Sequence, residues 1–327
     1  MKPRAAPLVV SGALREAFAQ LRAARVPSHT LAAELLLLHV LGRDRTWIYA
    51  HPEKEISPAD AERYFMLISR RASGEPTQHL TGKQEFWGLE FEVTPDVLIP
   101  RPETEHVIEV ALDRLALREV RAGRPQKNDG AGLRIVDVGT GSGCLAVVLA
   151  KELPAAEIYA TDISPAALAV ARRNAARHCV AGRICFLGCN LFEGLAVGAG
   201  CIVPLQGNTA SEAPHQSRVT SHQIPSVDLI VSNPPYIGRR EAATLMREVR
   251  EHEPEIALYG GEEGYELYAE LIAQSAAHLK PGGILVLELG HSSLPAVQPL
   301  LDPPTWTNVG VTNDLAGIPR VLAAERL

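Results

Sequence analysis

The chain has 327 residues, 46% apolar and 21% charged, with a net charge of -6. That is an ordinary soluble globular composition, and at roughly 150 residues per domain the length predicts two domains. The negative charge excludes an overall basic field for nucleic acid.

No apolar run reaches the roughly 18 residues of a membrane span, and no hydrophobic segment follows Met1-Lys2-Pro3-Arg4. A cytoplasmic chain without membrane attachment is expected. The five cysteines, Cys144, Cys179, Cys185, Cys189 and Cys201, form no CxxC pair. Reduced, mostly buried thiols are expected, with Cys185 and Cys189 as small apolar residues in and after a strand.

Residues 11 to 72 read as helices. Leu14, Phe18 and Leu21 recur at helical spacing, and Ser28 is placed to cap a helix from Thr30 to Leu41 that stops at Gly42. Leu35 to Leu38 is apolar all round, which suits a central helix of a small bundle. Trp47 and Tyr49 read as a linker. Pro58 opens a helix from Ala59 to Arg71 with Tyr64, Leu67 and Ile68 on one side. This segment, taken as a domain over 1–76, is near the lower size limit for an independent core.

Residues 77–104 read as a β-hairpin and linker. Glu85-Phe86-Trp87 and Glu90-Phe91-Glu92-Val93 flank a turn at Gly88-Leu89. Leu98-Ile99-Pro100-Arg101-Pro102-Glu103-Thr104-Glu105 then reads as a rigid connector, with Pro102 and two glutamates starting a helix. Residues 121 to 132 read as a surface loop.

From residue 133 strands and helices alternate. Strands are expected at Leu133–Val138, Glu157–Thr161, Arg183–Leu187, Val227–Val231 and Gly283–Leu289, with two more near Trp306–Val311 and Arg320–Ala324. Helices are expected at Cys144–Glu152, Pro165–His178 and Tyr265–Leu279. The pattern predicts an α/β domain over 105–327, a Rossmann-like doubly wound, mostly parallel sheet with one antiparallel strand at the end. Residues 193–226, rich in Gly, Ser, Pro, Gln and Thr, interrupt the rhythm and read as a long surface insertion without a function of its own.

Three motifs carry chemistry. Strand one runs into Gly139-Thr140-Gly141-Ser142-Gly143, whose glycines permit a tight turn and a close backbone approach to a ligand at a helix N-terminus. It is neither a Walker loop nor a clean dinucleotide fingerprint. Strand two ends at Asp162, 23 residues after Gly139, where an acid accepts the ribose hydroxyls of an adenosine ligand or simply caps the next helix. Strand four ends at Asn233-Pro234-Pro235-Tyr236. This tetrapeptide reads either as a turn or as a site for a planar NH2 group, with the Asn233 side-chain oxygen and Pro234 carbonyl as two acceptors and Tyr236 as a flat ring. The upstream glycine loop favours the ligand readings of both Asp162 and the tetrapeptide.

Gly139 to Gly143, Asp162 and Asn233 to Tyr236, in this order, resemble class I S-adenosylmethionine-dependent methyltransferases acting on planar amino groups. Leu98 to Glu105, Glu253-Pro254 with Gly260 to Gly264, and Asp314 to Gly317 narrow the resemblance to the peptide chain release factor N5-glutamine methyltransferases, over nearly the whole chain. The resemblance implies transfer of a methyl group from S-adenosyl-L-methionine to the glutamine amide of a release factor's Gly-Gly-Gln motif, with S-adenosyl-L-homocysteine as product. Asn233 and Pro234 become the expected catalytic residues, and Asn233 to Tyr236 the substrate site. The implied cofactor site comprises Gly139, Thr140, Gly141, Ser142, Gly143, Asp162, Leu191, Phe192 and Asn233. The helical N-terminal domain reads as a substrate-docking element or as a plain structural cap; the resemblance implies a release factor as partner, and a monomer is expected. No metal, direct nucleic-acid contact or membrane is expected. Asn190 stands where many relatives carry an acid, so altered cofactor affinity is expected.

The alternatives are an adenine-N6 methyltransferase acting on nucleic acid and a nucleoside-binding module without catalysis. Only 5% aromatic residues and the negative charge weigh against the first, and the intact tetrapeptide against the second.

Overall fold

The computed structural model describes residues 7–121, 129–193 and 226–327. Most of the 121–132 loop and the 193–226 insertion lies outside the described residues. The chain divides into two compact units, residues 1–83 with 245–253, and residues 84–244 with 254–327.

The first unit is helical. Helices Val10–Ala23, His29–Leu41 and Pro58–Ala72 share one core, with Ala13, Ala17 and Leu21 meeting Ala33, Leu36 and Leu37, and Tyr64 and Ile68 closing it. Ser57 caps the third helix by accepting from Asp60 N, and Pro58 occupies its first position. Tyr64 is fully buried, with its hydroxyl donating to the Ala33 carbonyl at 3.1 Å. Helix Arg247–His252 belongs to this unit, and Glu248 pairs with the buried guanidinium of Arg71.

Local readings fail at two places. Trp47 and Tyr49 lie in a short helix, Arg45–Ala50, capped by Asp44, which accepts from Trp47 N at 2.8 Å. Tyr49 and Arg45 both bond the buried Glu34 carboxylate. Ser28 does not cap with its side chain: it sits in the left-handed region, at φ 48°. Gly42, by contrast, ends its helix in the left-handed region as expected. A further helix, Thr77–Thr81, was not anticipated.

In the second unit, β1 (Lys83–Phe86) and β2 (Leu89–Glu92) form the hairpin. Its turn is Trp87-Gly88, one residue earlier than expected, with φ of 56° and 68°. Trp87 is held there by Glu105, which accepts from its backbone N–H, and by Glu152, which accepts from the indole.

The main sheet contains β3 (Arg134–Val138), β4 (Glu157–Asp162), β5 (Ile184–Gly188), β6 (Val227–Ser232), β9 (Leu279–Glu288), β10 (Trp306–Asn313) and β11 (Pro319–Arg326). A small parallel pair, β7 (Ile237–Gly238) and β8 (Tyr259–Gly261), stands apart. The main order is β10-β11-β9-β6-β3-β4-β5. β11 alone runs against its neighbours, so the antiparallel strand ends the chain but not the sheet. β9 begins four residues before its expected start at Gly283.

Every residue of β6 is buried, as a strand covered on both faces requires. Alternate residues separate cleanly: Ile135, Leu229, Val231, Ile284 and Val286 face one core, and Val136, Val138, Ile230, Leu285 and Leu287 the other. Strand order reverses between β3 and β6. That switch point opens a crevice at the carboxyl ends of the strands, where ligands bind in doubly wound sheets.

Cys144, Cys179 and Cys189 are free thiols, as expected, and Cys201 lies outside the described residues. No helix among the described residues is long and apolar enough to cross a membrane.

Candidate functional site

A cavity of about 290 Å³ lies at this switch point. Its floor is the turn after β3. Gly139 and Thr140 N–H both donate to the Thr161 carbonyl at 2.9 Å, which folds the loop onto β4. Gly141 takes φ 55°, and a Cβ there would meet nothing within 4 Å, so it is the backbone conformation that favours glycine.

Asp137 braces the loop from behind. Its Oδ2 accepts from Thr140 Oγ1 at 2.6 Å and from Ala146 N at 3.1 Å, while Oδ1 is buried without a partner. Burial pushes its carboxyl up to about 7, against these two hydrogen bonds.

Asp162 lines the cavity at the end of β4. Oδ2 accepts from Gly141 N at 2.9 Å and Oδ1 from Ser164 N at 2.8 Å. Burial raises its pKa, and these two N–H groups oppose the rise. The helix-capping role belongs to the neighbouring Ser164, which accepts from Ala167 N. A carboxylate has about four acceptor sites, so two remain for a ligand.

The third wall follows β6. The Ser232 hydroxyl donates to the Val138 carbonyl at 2.7 Å and ties the two strand ends together. Asn233 Nδ2 donates to Thr104 Oγ1 at 3.0 Å, whereas Asn233 Oδ1 is buried without a partner among the described residues. The Pro234 carbonyl receives no hydrogen bond among the described residues. Two acceptors therefore stand unused side by side, in a chain where buried polar groups are ordinarily satisfied.

The run Gly260 to Gly264 backs this wall. A Cβ on Gly260 would lie 2.2 Å from the Pro235 carbonyl oxygen. Only a residue without a side chain permits that approach, which accounts for a glycine at Gly260 better than turn chemistry does.

The cavity brings together Gly139, Thr140, Gly141, Ser142, Asp162, Leu191, Asn233, Pro234 and Pro235. Three expected residues are not among those lining it. Gly143 packs beneath, where an added Cβ would sit 3.0 Å from Ala171 Cβ. Phe192 is buried and stacks on His278 with ring centroids 4.7 Å apart. The Tyr236 hydroxyl donates to Glu288 Oε1 at 3.3 Å. Burial beside that carboxylate raises the Tyr236 pKa.

The lining also includes Asp96, Val97, Leu98, Thr104, Ile256 and Tyr259, which sequence reasoning did not place there. The connector holding Thr104 was singled out as a rigid connector and as a segment that carries the family resemblance, but not as part of the site. Its alternation of proline and polar residues carries no pattern that foretells a contact with Asn233.

Residues 12–82 match the family described as PrmC N-terminal domain, and residues 115–196 match that described as Ribosomal protein L11 methyltransferase (PrmA). A protein of Koribacter versatilis named release factor glutamine methyltransferase is 40% identical, covering 98% of this chain and 99% of its own. One of the same name from Nitratidesulfovibrio vulgaris is 38% identical, covering 97% and 95%. Among solved structures, a methyltransferase from Pyrococcus furiosus aligns with a TM-score of 0.44 and 17% identity, covering 79% of this chain and 96% of that one. With relatives this similar over almost their full length, the chain belongs to the release factor glutamine methyltransferase family.

Proposed function

We propose that the cavity binds S-adenosyl-L-methionine and that the enzyme methylates the side-chain amide nitrogen of the glutamine in a release factor's Gly-Gly-Gln motif. The observation that carries this reading is the pair of unused acceptors, Asn233 Oδ1 and the Pro234 carbonyl, in a cavity that also holds Asp162. An amide NH2 has two hydrogens to give and matches that pair. Family membership supports the choice of a release factor as substrate.

The cavity fits the cofactor's adenosyl part. Val138, Leu145, Ala167 and Leu191 supply apolar walls for a base, and Asp162 keeps acceptor sites for two ribose hydroxyls. Bound there, the cofactor supplies a methyl carbon activated by a sulfonium leaving group.

A carboxamide nitrogen is a weak nucleophile, because its lone pair is delocalised into the carbonyl. Asn233 Oδ1 and the Pro234 carbonyl would accept its two hydrogens and hold the nitrogen oriented for transfer. The same two oxygens stabilise positive charge as it develops on nitrogen. The nitrogen loses its proton to solvent after the transfer, so no general base need act first. Tyr236, hydrogen-bonded to Glu288, buttresses the acceptor wall from behind.

The test is methyl transfer from labelled S-adenosylmethionine to three acceptors side by side. Intact release factor, a Gly-Gly-Ala release factor and adenine-containing DNA are offered to the full chain. Label on the intact factor alone is expected. Label on DNA would replace this reading with the adenine-N6 alternative.

A further inference from the structure

Asp314-Leu315-Ala316-Gly317, one of the segments that carry the family resemblance, has no residue among those lining the cavity. It is the turn between β10 and β11. Gly317 N donates to the Asp314 carbonyl at 2.9 Å, so Asp314 and Gly317 hold the first and last places of a four-residue turn, where turn chemistry favours them. Asp314 Oδ1 also accepts from Ala316 N at 2.9 Å and Ile318 N at 3.0 Å. Its Oδ2 accepts from Arg320 Nε at 3.2 Å and Nη2 at 3.0 Å. Arg320 in turn donates to the Leu289 carbonyl at 3.1 Å, one residue past the end of β9. The base of the turn is therefore fixed from several sides.

What this base holds up is Leu315. It is 101% exposed, more than any other large apolar side chain among the described residues; the next is Val120 at 63%. The second place of such a turn accepts most residue types and gives no reason for leucine. A fully solvated leucine adds nothing to the fold, and its apolar surface gains only when something else covers it.

Strand register says what that is. Ser232 of β6 is level with Leu287 of β9, and Leu287 with Leu322 of β11. One residue further out stand Asn233, Glu288 and Val321. β11 runs the opposite way to β6, so the residues before Val321 continue past the edge at which the cavity opens. Neighbouring strands lie about 4.8 Å apart, which puts β11 about 10 Å to the side of β6. A standard protein–protein interface covers about 800 Å² of each partner, a disc about 16 Å in radius. At that sideways offset the turn falls inside such a disc centred on Asn233. Ile163 and Ile256, 52% and 55% exposed, line the cavity and add apolar surface to the same face.

We propose that Leu315 is a docking contact for the release factor, an apolar knob that enters a hollow on the body of that protein while its glutamine reaches the cavity. The proposal rests on the reading of the cavity as the place that receives the glutamine. A substrate side chain carried by a folded protein brings that protein over this edge of the sheet. A knob already held rigid loses little freedom on binding, so most of its burial counts toward affinity.

The experiment compares wild type, Leu315→Ser, Leu315→Met and Leu327→Ser, each as the full chain. Leu327, 59% exposed, follows the opposite end of β11 and is the matched control. KM and kcat are measured on full-length release factor, together with the Kd of S-adenosylmethionine and the sedimentation of the enzyme alone. Leu315→Ser should raise KM by roughly 10- to 100-fold, as expected for losing one buried leucine, with kcat within about twofold and cofactor Kd unchanged. Leu315→Met should keep KM within about threefold, because it keeps the apolar bulk. Leu327→Ser should match wild type.

Equal KM in Leu315→Ser and Leu327→Ser, on a release factor that wild type methylates, would overturn the docking role and leave the site reading standing. A wild-type enzyme that leaves the release factor unlabelled would overturn the site reading, and the docking role with it. A wild-type dimer that Leu315→Ser dissolves, with KM unchanged, would assign the knob to a second copy of this chain and refute the proposal.

Discussion

Gly260→Ala tests how tightly the acceptor wall is held. The new methyl group would stand 2.2 Å from the Pro235 carbonyl oxygen and 2.6 Å from that of Gly264. A comfortable carbon–oxygen contact is about 3.3 Å, so one backbone must retreat by about 1 Å. Neither partner is a flexible side-chain end that can swing aside. On one side lies the tetrapeptide that carries both acceptors, and on the other the backbone at Gly264, while Gly260 itself sits in β8, whose Tyr259 lines the same cavity. A misplacement of about 1 Å at a reacting centre costs on the order of 100-fold in rate. The variant should therefore lose about that much kcat on release factor. Cofactor affinity should change far less, because the glycine loop and Asp162 lie on other strands. Steady-state kinetics paired with calorimetric cofactor binding measures both. Gly182→Ala, where an added Cβ meets nothing within 4 Å, is the matched control. If Gly260→Ala turns over within about threefold of wild type, the idea that this glycine exists to seat the Pro235 carbonyl is refuted.

Asn233→Ala should lower kcat by about 100- to 1000-fold, the range typical of removing one preorganised charge-stabilising group, with cofactor Kd little changed. Asp162→Ala should do the reverse at low cofactor, raising Kd by roughly 100-fold through loss of bonds to an ionised group; kcat at saturation should be far less affected. Asp137→Asn should alter the pH dependence of stability. The Asp137 carboxyl is raised from 3.8 to about 7 in the fold, so its contribution is full below about pH 4 and is lost as pH rises through 7. Relative to the variant, wild type should lose on the order of 4 kcal/mol between pH 4 and pH 8 in urea denaturation. A constant difference across that range would show that Asp137 does not titrate there.

Much of the site was legible because its signals are short and local. A glycine run after a buried strand, an acid ending the next strand and two prolines after a fourth each report on their own backbone. Topology then brings them to one edge of the sheet. The residues that sequence reading missed act across distance. Thr104 reaches Asn233 over 129 positions, and nothing near either residue encodes the meeting. Tyr236, expected to cover a substrate amide, also donates its hydroxyl to Glu288, a partner 52 positions away that nothing near either residue encodes. Phe192, expected at the base, stacks on the His278 ring, a contact that the sequence did not foretell. The helix at Arg45–Ala50 is a different failure, since its capping residue Asp44 was visible and only the aromatic spacing of Trp47 and Tyr49 obscured it.

The Arg71–Glu248 pair also imposes an order of events on synthesis. The two residues are 177 positions apart, and the Arg71 side chain is 6% exposed. At about 5 to 20 residues per second, Glu248 leaves the ribosome roughly 10 to 35 seconds after Arg71. Through that interval the nascent helical unit holds a guanidinium with no carboxylate to receive it, and a buried charge without its partner is strongly unfavourable. The first segment of the chain to be made is therefore held open, or left solvated, until a segment from three-quarters of the way along arrives to close it.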